Sequence, residues 1–202
     1  MHPSASTRCL SRRPRSSHAG FTLIEVLTVV SVIAILLALA APNLRDFIVK
    51  SKVSGLSNEF SGALLQTRAL AISNNSCVTV CAATSISASS TGSCSSASSN
   101  DFQSGWIIFK NPSCDATQTD PTAAGGLVLA ARQGESNGYQ IKPADNALSS
   151  IMFDPRGGAA LASQGLIHVL PPSGGATTFS RNICIDASGR ASVHKYHATQ
   201  CL

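Results

Sequence analysis

The stretch that decides the fold is GFTLIEVL, Gly20 to Leu27. It opens an apolar segment that continues to Ala41 and contains one charged side chain, Glu25. About 20 apolar residues in a helix are enough to span the ~30 Å hydrocarbon core of a bilayer. A carboxylate inside such a segment costs about 2.5 to 3.5 kcal/mol on insertion scales. We therefore expect Glu25 to have a function and a partner of opposite charge.

The positive charge of the chain is concentrated in front of this segment. The chain has 15 lysines and arginines against 10 acidic residues, for a formal charge of +5. Four arginines precede Gly20, which leaves 11 basic against 10 acidic residues and a formal charge of +1. The sequence pI near 9.0 is therefore mainly a property of the first 20 residues and does not by itself indicate a nucleic-acid-binding domain.

Two modes of export fit the N-terminal region. In an ordinary signal peptide, residues 26–37 are the hydrophobic region, cleavage follows the A-x-A of residues 38–40, and Glu25 is lost. In the second mode, residues 1–20 are a leader and the apolar segment stays on the mature chain. The new α-amino group of Phe21 then lies one helical turn from Glu25, and this amine or that of a neighbouring copy can pair with the carboxylate. An ordinary signal peptide has no use for a carboxylate in its apolar region, so the presence of Glu25 favours the second mode.

The motif in residues 20–27 resembles the prepilin-peptidase motif of type IV pilins and type II secretion pseudopilins. The resemblance implies cleavage after Gly20 by prepilin peptidase, N-methylation of Phe21, and docking of subunits through Glu25 and a neighbour's N-terminus. It also implies a single-pass inner-membrane protein with a periplasmic head. Its partners would be other major and minor pilins or pseudopilins, contacted through the N-terminal helix of the filament.

The helical pattern continues beyond the apolar segment. Pro42 lacks a backbone donor and predicts a kink or local break. Helical spacing then resumes, with apolar residues on one face at Leu44, Phe47, Ile48, Leu56, Phe60, Leu64 and Ala71. The sequence predicts a helix over residues 21–75 that is transmembrane to about residue 41 and amphipathic after Pro42.

After residue 75 the apolar pattern changes to the period of two that is typical of strands. Strands are predicted at residues 78–80, 106–109, 127–129, 151–153, 166–170, 179–185 and 191–196, separated by Gly, Pro and Ser clusters. Residues 76–202 are therefore predicted to form a β-rich periplasmic or extracellular head. The fold class is α+β, in which the long N-terminal helix packs on a C-terminal antiparallel β-sandwich.

Six cysteines follow Gly20, an even number that suits disulfides in an oxidising compartment. Buried free thiols are one alternative. A zinc site from Cys77, Cys81 and Cys94 is another, although the chain has no CxxC spacing. The order of strands and loops favours the pairs Cys81–Cys94, Cys77–Cys114 and Cys184–Cys201, and the last pair would pin the C-terminal strand.

Three further stretches resemble the FimT/GspH branch of minor pilins and pseudopilins: residues 105–109 (GWIIF), residues 182–185 (NICI) and residues 188–190 (SGR). Some members of this branch bind DNA during natural transformation through a Gly-Arg-x-Arg motif. The matching residues here are 189–192 (GRAS), so the second arginine is missing. Phosphate contacts need only clustered positive charge, which the remaining basic residues near the C-terminus could supply. Weak DNA binding is therefore the alternative function. Its candidate residues are Arg181, Arg190, Lys195 and His194.

The sequence gives no supported catalytic motif. Residues 134–138 (GESNG) match the spelling G-x-S-x-G, but no helical pattern follows them, whereas a nucleophile elbow needs a strand–turn–helix context, and the sequence has no Gly-rich phosphate loop. His194 and His197 are three apart, which places them on opposite faces of a strand. We expect no enzymatic activity, no cofactor and no metal. The expected role is that of a minor pilin or pseudopilin that primes or decorates a type IV pilus or a type II secretion pseudopilus.

Overall fold

The computed structural model describes residues 20–84, 86, 92–95, 101–134, 138–145, 148–161, 165–172, 177–197 and 199–201. The chain divides into two compact units, with the boundary between Asn43 and Leu44. The first 19 residues of the predicted leader lie outside the described residues.

Helix α1 covers Leu23–Ser73 and contributes residues to both units. At its start, the Thr22 hydroxyl accepts a hydrogen bond from the backbone N–H of Glu25 at 3.3 Å, as an N-cap residue does. At its end, Asn75 takes a left-handed conformation and the N–H of Ser76 donates to the carbonyl of Ala71. This arrangement satisfies carbonyls that the last turn leaves open. The backbone is assigned as helical on both sides of Pro42, and a kink at this proline stays a prediction.

Ten strands are assigned among the described residues of the second unit: β1 (Val78–Thr84), β2 (Ser93–Cys94), β3 (Gly105–Lys110), β4 (Leu127–Gln133), β5 (Gln140–Pro143), β6 (Ser150–Phe153), β7 (Ala159–Ala160), β8 (Gly165–Leu170), β9 (Arg181–Ile185) and β10 (Ala191–Lys195). The first sheet has the order β4-β3-β1-β6-β7, with β2 paired to β1. The second sheet has the order β10-β9-β8-β5. Every pairing between these strands is antiparallel.

One hydrophobic core joins the second half of α1 to both sheets. The helix contributes Phe60 and Leu64, the first sheet Ile108, and the second sheet Ile167 and Ile183, all of which are almost completely buried. Side chains alternate across a strand, so the central strands of the two sheets direct every second residue toward this core. The predicted α+β class, with a long helix packed on antiparallel sheets, is confirmed.

The start of one predicted strand needs correction, and the short strands β2, β5 and β7 were not predicted. The strand predicted over residues 179–185 begins at Arg181, because Thr177–Phe179 forms a 3-10 turn. Strand β5 was not predicted, since only Ile141 in its four residues is an apolar strand former. Ile141 is nevertheless completely buried in the core. The four residues form a strand because they pair with β8, and strand formation depends on such neighbours more than on residue type.

Candidate assembly helix and candidate DNA-binding residues

The predicted processing site lies in exposed chain in front of α1. Gly20 is exposed and precedes the helix, and 82% of Phe21 is accessible. Glu25 lies in the first turn of α1, where the partial positive charge of the helix N-terminus favours a carboxylate. Thr22 and Glu25 also have the S/T-x-x-E spacing of a capping box. This local role of Thr22 could have been recognised from the sequence spacing.

The first unit exposes large apolar side chains on all sides of α1. Between one half and four fifths of each is accessible at Leu23, Ile24, Val26, Leu27, Val29, Val30, Val32, Ile33, Ile35, Leu36 and Leu37. The hydroxyls of Thr28 and Ser31 donate to the carbonyls of Glu25 and Thr28, so their polar groups are satisfied within the helix. A helix that is apolar on every side requires cover from lipid or other helices.

Among the described residues, no single helix is both long and apolar enough to cross a membrane. The two parts of α1 on either side of residues 39–42, Leu23–Ala38 and Asn43–Ser73, meet these requirements of length and composition only together. Within the described part of the chain, no residue forms an ion pair with Glu25.

Three disulfides join the six cysteines in the same pairs that the sequence favoured. They are Cys77–Cys114, Cys81–Cys94 and Cys184–Cys201, with Cα–Cα distances of 5.3, 5.5 and 5.7 Å. The alternatives of free thiols and of a zinc site on Cys77, Cys81 and Cys94 are therefore wrong, because each of these sulfurs forms a disulfide with another cysteine. In the described part of the chain, no group of three or more His, Cys, Asp or Glu is arranged to hold a metal ion.

Three of the four candidate DNA-binding residues lie at two ends of one hairpin, and His194 lies between them, where it lines a shallow pocket with Arg190. Arg181 in β9 faces Lys195 in β10, and the guanidinium of Arg181 donates to the carbonyl of Ser180 at 3.3 Å. Arg190 lies in the turn before β10, five residues and about 16 Å of extended strand from Lys195. His194 shares a hydrogen bond of 2.9 Å with the Ser192 hydroxyl. The structure therefore does not bring the four residues into one cluster.

Arg190 is also close to a carboxylate. Its backbone N–H donates to Asp186 Oδ1 at 2.9 Å, and the Ser188 hydroxyl donates to the same oxygen at 2.6 Å. These hydrogen bonds, that of Ser188 first, hold the pKa of Asp186 below its ordinary range, and the positive charge of Arg190 acts in the same direction. Asp186 therefore places a negative charge beside the backbone of Arg190 in the same turn.

The glycine of the SGR stretch has a structural role that sequence reasoning missed. Gly189 is buried, has φ of 76°, and lies against the carbonyl of Gly157, which itself has φ of 85°. The Arg68 Nε of α1 donates to the Gly157 carbonyl at 2.9 Å. Two turns, residues 154–158 and 186–190, are thereby fastened to the last turns of the helix. The contacts are separated by 89 residues along the chain, so no local pattern indicates them.

The fold is similar to that of a solved pilin. The type IV minor pilin FimU of Pseudomonas aeruginosa strain PAO1, in one crystal form, matches with a TM-score of 0.51 and 14% identity over 76% of this chain and 95% of FimU. In a second crystal form the TM-score is 0.49, with 16% identity over 70% of this chain and 91% of FimU. A search of curated proteins finds no match. The long apolar helix, its N-terminal motif and the antiparallel head define the class of pilin-like proteins.

Two family profiles match the sequence. The profile described as type II transport protein GspH matches residues 56–189, and the prokaryotic N-terminal methylation motif matches residues 15–41. The chain belongs to the GspH family. It is a structural subunit of the minor pilin or pseudopilin kind, and the methylation motif indicates membrane anchoring and assembly with other pilins.

Proposed function

We propose that this chain is a filament subunit held in the inner membrane by residues 21–41 and assembled from there into a type IV pilus or a type II secretion pseudopilus. Prepilin peptidase would cut after Gly20, and the new amine of Phe21 would be methylated. The head, residues 76–202, would lie in the periplasm and then on the filament. This division places residues 1–20 in a leader and residues 21–75 in the helix.

One observation carries this proposal: α1 exposes apolar side chains on every side from Phe21 to Leu37. In water, such a surface is unfavourable by about 25 cal/mol for each Å² of apolar area. Among the described residues of the second unit, the buried core includes α1 residues from Val53 onward. Lipid can cover the exposed segment before assembly, and the helices of neighbouring subunits can cover it in a filament.

Glu25 gives this apolar surface a specific contact. Its carboxylate lies one helical turn from the N-terminus that cleavage would create, and it has no ion-pair partner within the described residues. The methylated amine of Phe21, in the same subunit or in a neighbour, supplies the opposite charge. Two charges that leave water are stabilised only when they are paired. The pairing therefore favours a defined register between adjacent helices.

Substitution of Glu25 tests this proposal. We expect Glu25→Gln and Glu25→Ala to leave the protein in the membrane fraction, because each removes a charge that opposes insertion. Incorporation into filaments should fall by about ten-fold or more, since the loss of one partner leaves a desolvated amine. Asp46→Asn is the matched control, because Asp46 is an exposed acid of α1 beyond the apolar segment. Normal incorporation of Glu25→Gln beside wild-type partners would contradict the proposed pairing.

A further inference from the structure

The C-terminal segment crosses one face of the second sheet. This segment, named the strap, consists of Tyr196, His197 and residues 199–201, and it follows edge strand β10. Ile167 of β8 and Ile183 of β9 point into the core. Their neighbours His168 and Asn182 therefore point to the opposite, outer face of the sheet. The strap lies over this outer face.

Asn182 connects the sheet to the strap. Its Nδ2 donates to the carbonyl of His197 at 2.8 Å and to that of Gln200 at 3.4 Å, while its Oδ1 lies 3.0 Å from His168 Nδ1. The Tyr196 ring packs on the His168 ring with a centroid distance of 5.2 Å. With the strap in place, Asn182 is completely buried although it is polar and lies on the outer face.

A disulfide closes the strap. Cys201 is bonded to Cys184, which lies two residues from Asn182 in β9 and therefore on the same outer face. The hydrogen bonds of Asn182 can be exchanged for bonds to water with little net change. The disulfide is different, because it limits how far the strap can move from the sheet.

The surface beneath the strap is mostly polar. Lys142, His168, Asn182 and His194 are cross-strand neighbours in one row from β5 to β10. Such side chains are readily solvated, so removal of the strap does not open the core. The apolar exceptions on this face are Leu166, the cross-strand neighbour of Cys184, and Leu170, the cross-strand neighbour of Gln140.

We propose that the Cys184–Cys201 disulfide is a redox latch, whose reduction frees the strap and uncovers the polar row while the head stays folded. The reductant is a dithiol. Its thiolate attacks one sulfur of the disulfide to form a mixed disulfide, and its second thiol displaces the protein thiol. The two protein sulfurs gain two electrons and two protons, and the dithiol becomes a cyclic disulfide. Cys201 is half-buried, and Cys184 and Cys201 both line a shallow surface pocket, which leaves a path for this attack.

Hydrogen exchange of the full chain in detergent micelles tests the latch. In Cys184→Ser/Cys201→Ser, we expect strap amides to exchange about ten- to a hundred-fold faster, while amides of β8 and β9 stay within about two-fold of wild type. Cys81→Ser/Cys94→Ser is the matched control, because this disulfide has a similar sequence separation, 13 against 17, and holds core strand β1. It should leave strap exchange unchanged.

Two results would overturn the proposal. Unchanged strap exchange in Cys184→Ser/Cys201→Ser would mean that the hydrogen bonds alone hold the strap. Loss of protection in β8 and β9 would mean that the disulfide belongs to the folded sheet. A second measurement uses wild-type protein treated with limiting dithiothreitol and then alkylated. Labelling of Cys184 and Cys201 with unchanged Trp106 fluorescence supports the latch, and labelling only together with a red shift of Trp106 contradicts it.

Discussion

Gly189 lies directly against Gly157, so that a β-carbon on Gly189 would overlap with the Gly157 carbonyl oxygen. The same oxygen accepts a hydrogen bond from Arg68, whose Nε would be 3.2 Å from that β-carbon. The turn after β9 and the turn after β6 are thus fixed to helix α1 at a position where only a glycine fits. The glycine of the SGR stretch therefore serves the packing of the head.

This contact predicts a large effect of Gly189→Ala on stability. The variant must place a side chain at positive φ and displace the Gly157 carbonyl, so we expect a loss of about 2 to 4 kcal/mol in the free energy of unfolding. Gly125→Ala is the matched control, because Gly125 has φ of 78° and open space around it. It should cost about 1 kcal/mol. Chemical denaturation followed by Trp106 fluorescence measures both, and equal losses would contradict the packing role.

A second prediction concerns the contact between α1 and the edge strand of the first sheet. Arg132 of β4 forms two hydrogen bonds with the Glu59 carboxylate, at 2.8 and 3.2 Å, and its guanidinium lies 4.6 Å from the Trp106 ring centroid. We expect Arg132→Ala to reduce the free energy of unfolding by about 1 to 2 kcal/mol, because it removes both interactions and the hydrogen bond to the Gln103 carbonyl at 3.4 Å.

Glu59→Gln separates the two contributions of Arg132. Glu59 is 44% exposed, and an exposed ion pair contributes little, so we expect a loss of no more than about 1 kcal/mol. Denaturation of the two single variants and of the double variant gives the coupling energy. If Glu59→Gln were as damaging as Arg132→Ala, the ion pair would outweigh the contact with Trp106.

The turn of residues 186–190 predicts a defined pH dependence. The Ser188 hydroxyl is the main cause that lowers the pKa of Asp186 from its ordinary value of 3.8. Because the native pKa is below the unfolded one, the stabilising contribution is present above pH 3.8 and is lost as the pH falls through the native pKa. Ser188→Ala should raise the pKa of Asp186 in an NMR titration. Asp120 is the control, because hydrogen bonds from Thr122 in a separate loop lower its pKa. Its pKa should not change in Ser188→Ala.

The sequence predicted the features that depend on local pattern. The apolar segment after Gly20, the end of the helix near Ser73 and strands such as β3 follow from residue type and spacing over a few positions. The cysteine pairs followed from the order of strands and loops. The T-x-x-E spacing of Thr22 and Glu25 is also a local pattern, and it indicates the helix cap that the structure shows.

The features that the sequence did not predict depend on distant partners. Strand β5 has one strong strand former, Ile141, and it is defined by its pairing with β8. Arg68 meets the Gly157 carbonyl across 89 residues. The basic residues near the C-terminus looked like one group along the chain, but the hairpin separates Arg190 from Arg181 and Lys195. Proximity in sequence did not produce a cluster in space.

The central claim is that the apolar helix remains on the mature protein and begins at Phe21. Intact mass spectrometry with N-terminal sequencing, on protein from the membrane fraction of a host that has prepilin peptidase, tests it most directly. We predict the loss of residues 1–20 alone and one added methyl group on the amine of Phe21. A mature N-terminus at Ala41, after the A-x-A of residues 38–40, would show ordinary secretion with loss of Glu25 and would contradict the account.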